Sequence, residues 1–237
     1  MVMAPGRRKL TAPLIEDLHL PDLTDADPVT IRAGGHHEAQ RYTDADLSER
    51  ELADTVFTEC AFDGVTAGDA DLRGARFLET SVARLTAPVL RASRSTWRDA
   101  RLAGSRLGAV ELDGADLRSV AITGSKLTYV NLRTASLRDV AFTDCVIDEL
   151  DLTQAEADRV ALDGCTVGTL LIDHARLRHV DLRGAELRTI SGVDALRGAV
   201  LSSAQAADLA EAFAAHLGIT VSDEPAPRGP SRSGRGR

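Results

Sequence analysis

A four-sided β-solenoid is the fold class that this sequence predicts, and two periodicities in the chain lead to it. Every fifth residue from Leu47 to Leu187 is apolar, which gives 29 positions without a single polar residue. A period of five fits neither an amphipathic helix, which repeats near 3.6 residues, nor a half-buried strand, which repeats every two. Each pentapeptide is therefore expected to make one short side and one turn of a repeating coil.

A second inward residue precedes each of these positions by two, and its type recurs at every fourth repeat. In the later coils one column consists of valines and another of alanines: Val120, Val140, Val160 and Val180; Ala115, Ala135, Ala155 and Ala175. Stacked coils place like residues above like in packed rows. A period of 20 therefore predicts four pentapeptides per turn, and the repeats would make about seven coils spaced by about 4.8 Å.

Three runs carry a family resemblance. The sequences Ala-Asp-Leu-Arg-Gly at 70–74, Ala-Asp-Leu-Arg-Ser at 115–119 and Ala-Glu-Leu-Arg-Thr at 185–189 match the A(D/N)LXX signature of the pentapeptide-repeat family. The chain resembles that family over about 145 of its 237 residues. The resemblance implies an all-β solenoid that is a right-handed quadrilateral β-helix, similar in fold to the gyrase-binding quinolone-resistance members.

The chain divides into four parts. Residues 1–44 are rich in Pro, Asp and Gly and are expected to cap the N-terminal end of the solenoid, with a short strand at 29–32. Residues 45–194 form the pentapeptide-repeat β-helix. Residues 195–220 contain a helix that is either a cap or a dimer contact, and residues 221–237 form a Pro/Gly/Ser/Arg tail that is expected to be disordered.

The C-terminal helix is predicted over residues 201–218 by a change of period. Ser202 and Gln205 form a capping-box pattern, and Gly218 supplies the stop. Leu209, Phe213 and Leu217 line one face of this helix. That face would seal the last coil, pair with a second subunit in a homodimer, or do both.

Catalytic and cofactor motifs are not found in the sequence. Cys60, Cys145 and Cys165 all fall at small inward positions, so core packing is favoured over a metal or redox pair. The histidines show no zinc-ligand spacing with cysteines or carboxylates. No stretch of 18 apolar residues predicts a membrane span, and no secretory signal core follows the basic N-terminus. A cytoplasmic protein that is not an enzyme and carries no cofactor or metal is expected.

Two residues interrupt the regularity of the repeat. Trp97 replaces the usual Leu at an inward position, in a stretch where Ala87 and Ala92 are central and their companions are bulky. The exchange of large and small side chains keeps the interior volume the same, so packing compensation explains it. Pro88 is expected at a corner of the coil, since proline is excluded from central strands.

Charge is banded along the rod. The net charge is −6 over 45–79, +6 over 84–138, −8 over 139–173 and +2 over 174–189. Arg98, Arg118 and Arg138 stand 20 residues apart and should stack in one row. Asp158 and then Arg178 continue this row. Stacked like charges repel, so a partner that neutralises them is a reasonable explanation.

Two classes of function follow. The first is a non-catalytic interaction solenoid that binds an unidentified protein partner through its charged faces, including the Arg98, Arg118 and Arg138 row. The second comes from the resemblance: a DNA-mimicking modulator of a type II topoisomerase, DNA gyrase or topoisomerase IV, giving quinolone or toxin protection. In that case the acids Asp144, Asp148, Glu149 and Asp151 would replace phosphates. Neither class implies a direct contact with nucleic acid or with a membrane.

Overall fold

The chain folds into a β-solenoid of about nine turns in the computed structural model, which describes residues 10–224. The predicted fold class is confirmed, and the coil count exceeds the expected seven. Additional turns come from outside the repeat region that the apolar period marks. His36–Glu38 already pairs with Val56–Thr58, and Ala199–Val200 pairs with the strand that ends at Ser191.

Between residues 10 and 224, seventeen strands build the solenoid. They are β1 Thr24–Asp25, β2 His36–Glu38, β3 Gln40–Thr43, β4 Val56–Thr58, β5 Ala61–Asp63, β6 Arg76–Leu78, β7 Ser81–Ala83, β8 Thr86–Arg91, β9 Thr96–Ala103, β10 Arg106–Glu111, β11 Asp116–Thr123, β12 Lys126–Asn131, β13 Ser136–Thr143, β14 Val146–Asp151, β15 Glu156–Leu171, β16 Arg176–Ser191 and β17 Ala199–Val200. The helices α1 Ser203–Asp208 and α2 Ala210–His216 follow. No helix within residues 10–224 is long and apolar enough to span a membrane.

The strands are parallel, and from β2 to β16 they pair at an offset of 20 residues apart from a local shift between β15 and β16. Leu117 faces Leu137, for example, and Val120 faces Val140. Backbone amides donate to the next coil, as in the 2.8 Å bond from Leu132 N to Asp151 O. Four pentapeptides per turn is therefore the observed geometry, as the column periodicity predicts.

The interior is a single apolar column whose character changes along the rod. All 29 central residues are buried except Leu102 and Leu187, which are half-buried. At the N-terminal end Phe57 stacks on Phe77 and Phe77 on Trp97, with ring centroids 5.3 Å and 4.0 Å apart. Trp97 Nε1 donates to Ser95 Oγ at 2.8 Å, which satisfies its one polar group. Trp97 thus ends an aromatic stack, and the coils beyond it are filled by aliphatic side chains and the single ring of Phe142.

Corners of the coil use the left-handed backbone region. Residues such as Asp54, Asp99 and Asp139 adopt φ of 58°, 52° and 57° at the fifth position of their pentapeptide. Bulky and β-branched residues resist that region. Where Val89 and Tyr129 occupy the equivalent position, the backbone stays extended and β8 and β12 run straight through it.

Pro88 lies inside strand β8 and is exposed, so the expectation of a corner is wrong. The column that contains it explains why a proline is tolerated. The equivalent amides of Ser48 and Gly68 donate to side-chain oxygens rather than to the ladder, so the missing N–H of Pro88 costs no strand bond. Gly108 is the neighbour in the next coil, and a Cβ there would meet Pro88 O at 2.2 Å.

The N-terminal segment differs from the expected cap in three ways. Residues Pro28–Thr30 form a 3-10 helix capped by Asp27, not a strand, and Ile31 then plugs the first coil. The boundary predicted at residue 45 falls inside the sheet, because β2 and β3 already pair in register. Residues 10–23, which we name the strap, run along the side of the rod instead of covering its end.

The C-terminal helix begins at the predicted capping box and is interrupted once. The Ser202 side chain accepts a hydrogen bond from Gln205 N, and the Gln205 side chain accepts one from Ser202 N. The helix is interrupted at Leu209, which separates α1 from α2. Leu209 is buried, Phe213 is half-buried and Leu217 is 71% exposed. The chain itself therefore covers only the first part of the predicted apolar face. Most of the predicted tail, residues 225–237, lies outside the described residues.

Candidate functional site

The arginine row predicted from the sequence exists as a geometric feature. Arg118 pairs in register with Arg98 on one side and with Arg138 on the other, and all three side chains are exposed. Arg118 has an ion pair within its own coil, to Asp116 at 3.2 Å. Within residues 10–224, Arg98 and Arg138 form no ion pair. The row therefore presents three stacked cations with little internal compensation.

Beyond Arg138 the row is neutralised by the protein itself. Asp158 lies next in register and accepts hydrogen bonds from Arg178 and Arg159. Arg159 also forms an ion pair with Asp139 at 2.5 Å, and both side chains are mostly buried. The hydrogen bond from Arg178 lowers the pKa of the Asp158 carboxyl, and that from Arg159 lowers the pKa of Asp139. This part of the row is a structural ion network.

The four acids proposed as phosphate mimics do not form a patch. Asp144 lies at the corner before β14, and the other three lie along β14 within the same coil. Asp144 and Asp148 are exposed and Glu149 is half-buried. Asp151 is only 3% exposed, because its Oδ1 accepts a 2.9 Å bond from Thr153 N and Arg133 lies 3.8 Å away. Asp151 is therefore a structural turn residue and does not present a surface charge.

The adjacent coils also leave these acids isolated. Asp144 stands against Gly164, whose Cβ position would lie 2.3 Å from the carboxylate. Glu149 pairs in register with Tyr129 and Thr169. A stripe of phosphate-like charge requires acids stacked along the rod, and these positions do not provide it.

One acidic column was missed by the sequence reasoning. Glu59, Glu79 and Asp99 occupy the same corner of three successive coils, each with φ of 52°. Their neighbours Thr58, Leu78 and Arg98 lie in register, which fixes the stacking. Sorting outward corner residues by 20, as was done for inward ones, would have found it. The column is the longest stack of acids on the described rod.

Neither the histidines nor the cysteines of the described residues come together with carboxylates as a metal site would require. Residues 10–224 contain no group of three or more His, Cys, Asp or Glu suited to a metal ion. Cys60, Cys145 and Cys165 are free and buried at 0%, 1% and 2% exposure. Cys145 Sγ donates to Thr143 O at 3.3 Å, as Ser125 Oγ does to Thr123 O at 3.0 Å one coil earlier. The cysteines thus fill the small inward column beside serines.

The sequence comparison identifies the repeat. A family model described as pentapeptide repeats matches residues 43–77 and 98–133, with 8 copies. These two ranges lie in the first and middle coils of the solenoid. None of the curated proteins matches the chain significantly.

Some solved structures resemble this one, all at low TM-scores. HetL, a pentapeptide repeat protein involved in heterocyst differentiation regulation in Nostoc sp. strain PCC 7120, is 18% identical, with coverage of 72% of this chain and 91% of HetL and a TM-score of 0.26. A trypsin-treated form of QnrB1, a plasmid-mediated fluoroquinolone resistance protein, is 18% identical, with coverage of 83% and 95% and a TM-score of 0.30. Full-length QnrB1 is 16% identical, with coverage of 76% and 99% and a TM-score of 0.27.

Proposed function

Because the chain is a pentapeptide-repeat protein, we propose that it is a non-catalytic, cytoplasmic interaction rod that binds a protein partner through its charged faces. The observation that carries the proposal is the row of Arg98, Arg118 and Arg138. Adjacent strands lie about 4.8 Å apart, so three guanidinium groups repel one another unless anions lie between them. An acidic surface on a protein partner would supply those anions.

The row is tested by charge reversal. A variant with Arg98→Glu, Arg118→Glu and Arg138→Glu should lose the partner, which affinity capture with quantitative mass spectrometry would first identify. Its matched control reverses three exposed arginines outside the row, Arg76, Arg94 and Arg188. Both variants should keep the circular dichroism spectrum of the wild type, because exposed side chains contribute little packing energy. Equal partner binding by both variants would contradict the proposal.

A second candidate function is a DNA-mimicking modulator of a type II topoisomerase, and the Glu59, Glu79 and Asp99 column favours it. Stacked carboxylates along a rod imitate the charge of a phosphate backbone, and a protein that binds them should also bind DNA. The column lies beside the exposed Arg98, which reduces its net field.

A gyrase supercoiling assay tests this second function. If the column acts as a phosphate mimic, added protein alters supercoiling and duplex DNA competes for the enzyme. Charge reversal of Glu59, Glu79 and Asp99 to Lys should abolish the effect, whereas reversal of Asp144 and Asp148 should not. No effect at large molar excess would remove the topoisomerase function and leave the interaction rod.

The C-terminal end is proposed as a homodimer contact. Leu217, Ile219 and Val221 are 71%, 56% and 61% exposed and follow one another in the last described residues. Half-buried Phe213 lies beside them on α2. A second copy would bury this group of apolar side chains by a two-fold contact.

A further inference from the structure

The strap, residues 10–23, crosses the coils at right angles to the strands. Thr11 N donates to His179 Nδ1 at 3.2 Å, and Leu14 N donates to Asp139 Oδ1 at 2.9 Å. Arg101 donates from its guanidinium to Glu16 O. Thr24 then joins the first coil by pairing with Gln40. The strap thus spans about seven coils, or about 34 Å at about 4.8 Å per coil.

The side of the rod where the strap is anchored combines charged anchors with short side chains. One outward column there contains Arg101, Ala121, Ala141 and Ala161 in consecutive register. The strap places apolar residues at alternating spacings of three and two, and each is half-buried: Leu10, Pro13, Ile15, Leu18, Leu20 and Leu23. Short side chains on the rod leave room for an extended apolar segment to lie against it.

The polar contacts recognise the main chain of the strap, not its side chains. Two amides and one carbonyl supply all three anchors, and Leu14 itself is 66% exposed. The strap forms no strand before Thr24. A segment with few buried contacts and no ladder bonds opens at a low free-energy cost, so the strap can leave its site without unfolding the coils.

We propose that the side of the rod beneath the strap, next to the arginine row, is a second docking surface that accepts an extended, leucine-rich peptide from a partner. The strap is its resident occupant. Asp139, Arg101 and His179 offer one acceptor, one donor and a ring nitrogen to any extended main chain, and Ser119 Oγ, in the coil between Asp139 and Arg101, is buried without a partner. The small column supplies the room for leucines.

The test uses the full-length chain and a labelled synthetic peptide with the sequence of residues 10–23. Leu14→Pro removes the N–H that donates to Asp139 and changes no residue of the solenoid. Leu14→Ala is the matched control, because it keeps that N–H and its side chain is exposed. Hydrogen exchange of residues 10–23 should be faster in Leu14→Pro than in Leu14→Ala. A double variant, Ile15→Asp with Leu18→Asp, opens the strap by a different route.

Fluorescence polarisation then measures peptide binding to each form. A tethered strap competes at an effective concentration near millimolar, so the opened chains should bind the peptide roughly tenfold or more tighter than the wild type. A peptide of the same composition in scrambled order should not bind. The proposal is overturned if neither variant accelerates strap exchange, if opened chains do not bind the peptide, or if the scrambled peptide binds equally well.

Discussion

At the residue scale, the direction of each side chain decides what a substitution does. Leu132 is fully buried, while its neighbour Asn131 lies on the outer surface of β12. Asp in place of Leu132 would bury an unpaired carboxylate and should destabilise the protein by roughly 4 kcal/mol or more. Urea unfolding followed by circular dichroism measures the loss.

Asn131→Asp is the matched control for Leu132→Asp. Asn131 Oδ1 accepts a bond from Arg133 N at 3.2 Å, and Asp71 and Asp151 make the same turn contact in their own coils. An aspartate at 131 reproduces that contact and should be tolerated. If both aspartate variants were equally stable, the inward and outward register would be wrong.

Asp71 gives the fold a dependence on pH. Hydrogen bonding from Arg73 lowers the pKa of the Asp71 carboxyl to about 2. A depressed pKa stabilises the folded state above the unfolded-state pKa, and this contribution is lost as the pH falls from about 4 through about 2. Asp71→Asn should therefore be less stable at pH 7 by roughly 1–2 kcal/mol, with a difference that vanishes near pH 2.

Thermal melts of the two proteins from pH 7 to pH 2 measure this difference. Asp54→Asn is a suitable control, because Asp54 is exposed and asparagine tolerates the left-handed backbone. A constant difference between wild type and Asp71→Asn across the pH range would contradict the assignment.

The same column shows where residue-level reasoning from sequence ends. The period of five places Asp71 and Asp151 at outward positions of the coil, and the structure has them there. Their carboxylates nevertheless turn back to the amide two residues later and become buried. Asp71 and Asp151 stand directly before a central Leu, where they form an Asx turn, whereas exposed Asp148 directly follows the central Ile147.

At the scale of elements, one side chain makes the hydrogen bonds that join the C-terminal helix to the last coil. Gln205 Nε2 donates to Leu182 O and Ala185 O, each at 2.6 Å, while Gln205 Oε1 accepts from Ser202 N. Gln205→Ala removes the capping box and leaves two carbonyls unpaired. The expected loss is roughly 1–3 kcal/mol, measured by urea unfolding.

Asp208→Ala is the control for the Gln205 substitution, since it lies on the exposed side of the same short helix. Its effect should remain within about 0.5 kcal/mol of zero. A loss in Gln205→Ala no larger than that of Asp208→Ala would show that the helix does not hold the last coil.

Coils and helix were predictable, and strand lengths and the strap were not. Periods of five and 20 fix which residues point inward, but corner conformation depends on whether residues such as Val89 can adopt positive φ. The strap also repeats apolar residues at intervals of five, through Leu10, Ile15 and Leu20. Pro13 and Pro21 lack the amides that a coil requires, so this segment lies across the strands.

At the scale of the whole molecule, the two ends of the rod differ in how completely they are covered. A solenoid has edges at both ends that must be covered. Ile31 plugs the first coil and is completely buried. At the other end Leu209 is buried, but Leu217, Ile219 and Val221 remain exposed. The end that is only partly covered is the one expected to meet a second copy.

Sedimentation velocity at micromolar concentration should therefore show a dimer. Leu217→Asp places a charge in the apolar contact and should give a monomer, because burying an unpaired carboxylate costs more than the contact yields. Val29→Asp is the matched control: Val29 is 59% exposed at the opposite end of the rod, and its change should leave the dimer intact. A wild-type monomer, or dissociation by both variants, would contradict the C-terminal contact. A dimer that survives Leu217→Asp would place the two-fold contact elsewhere on the rod.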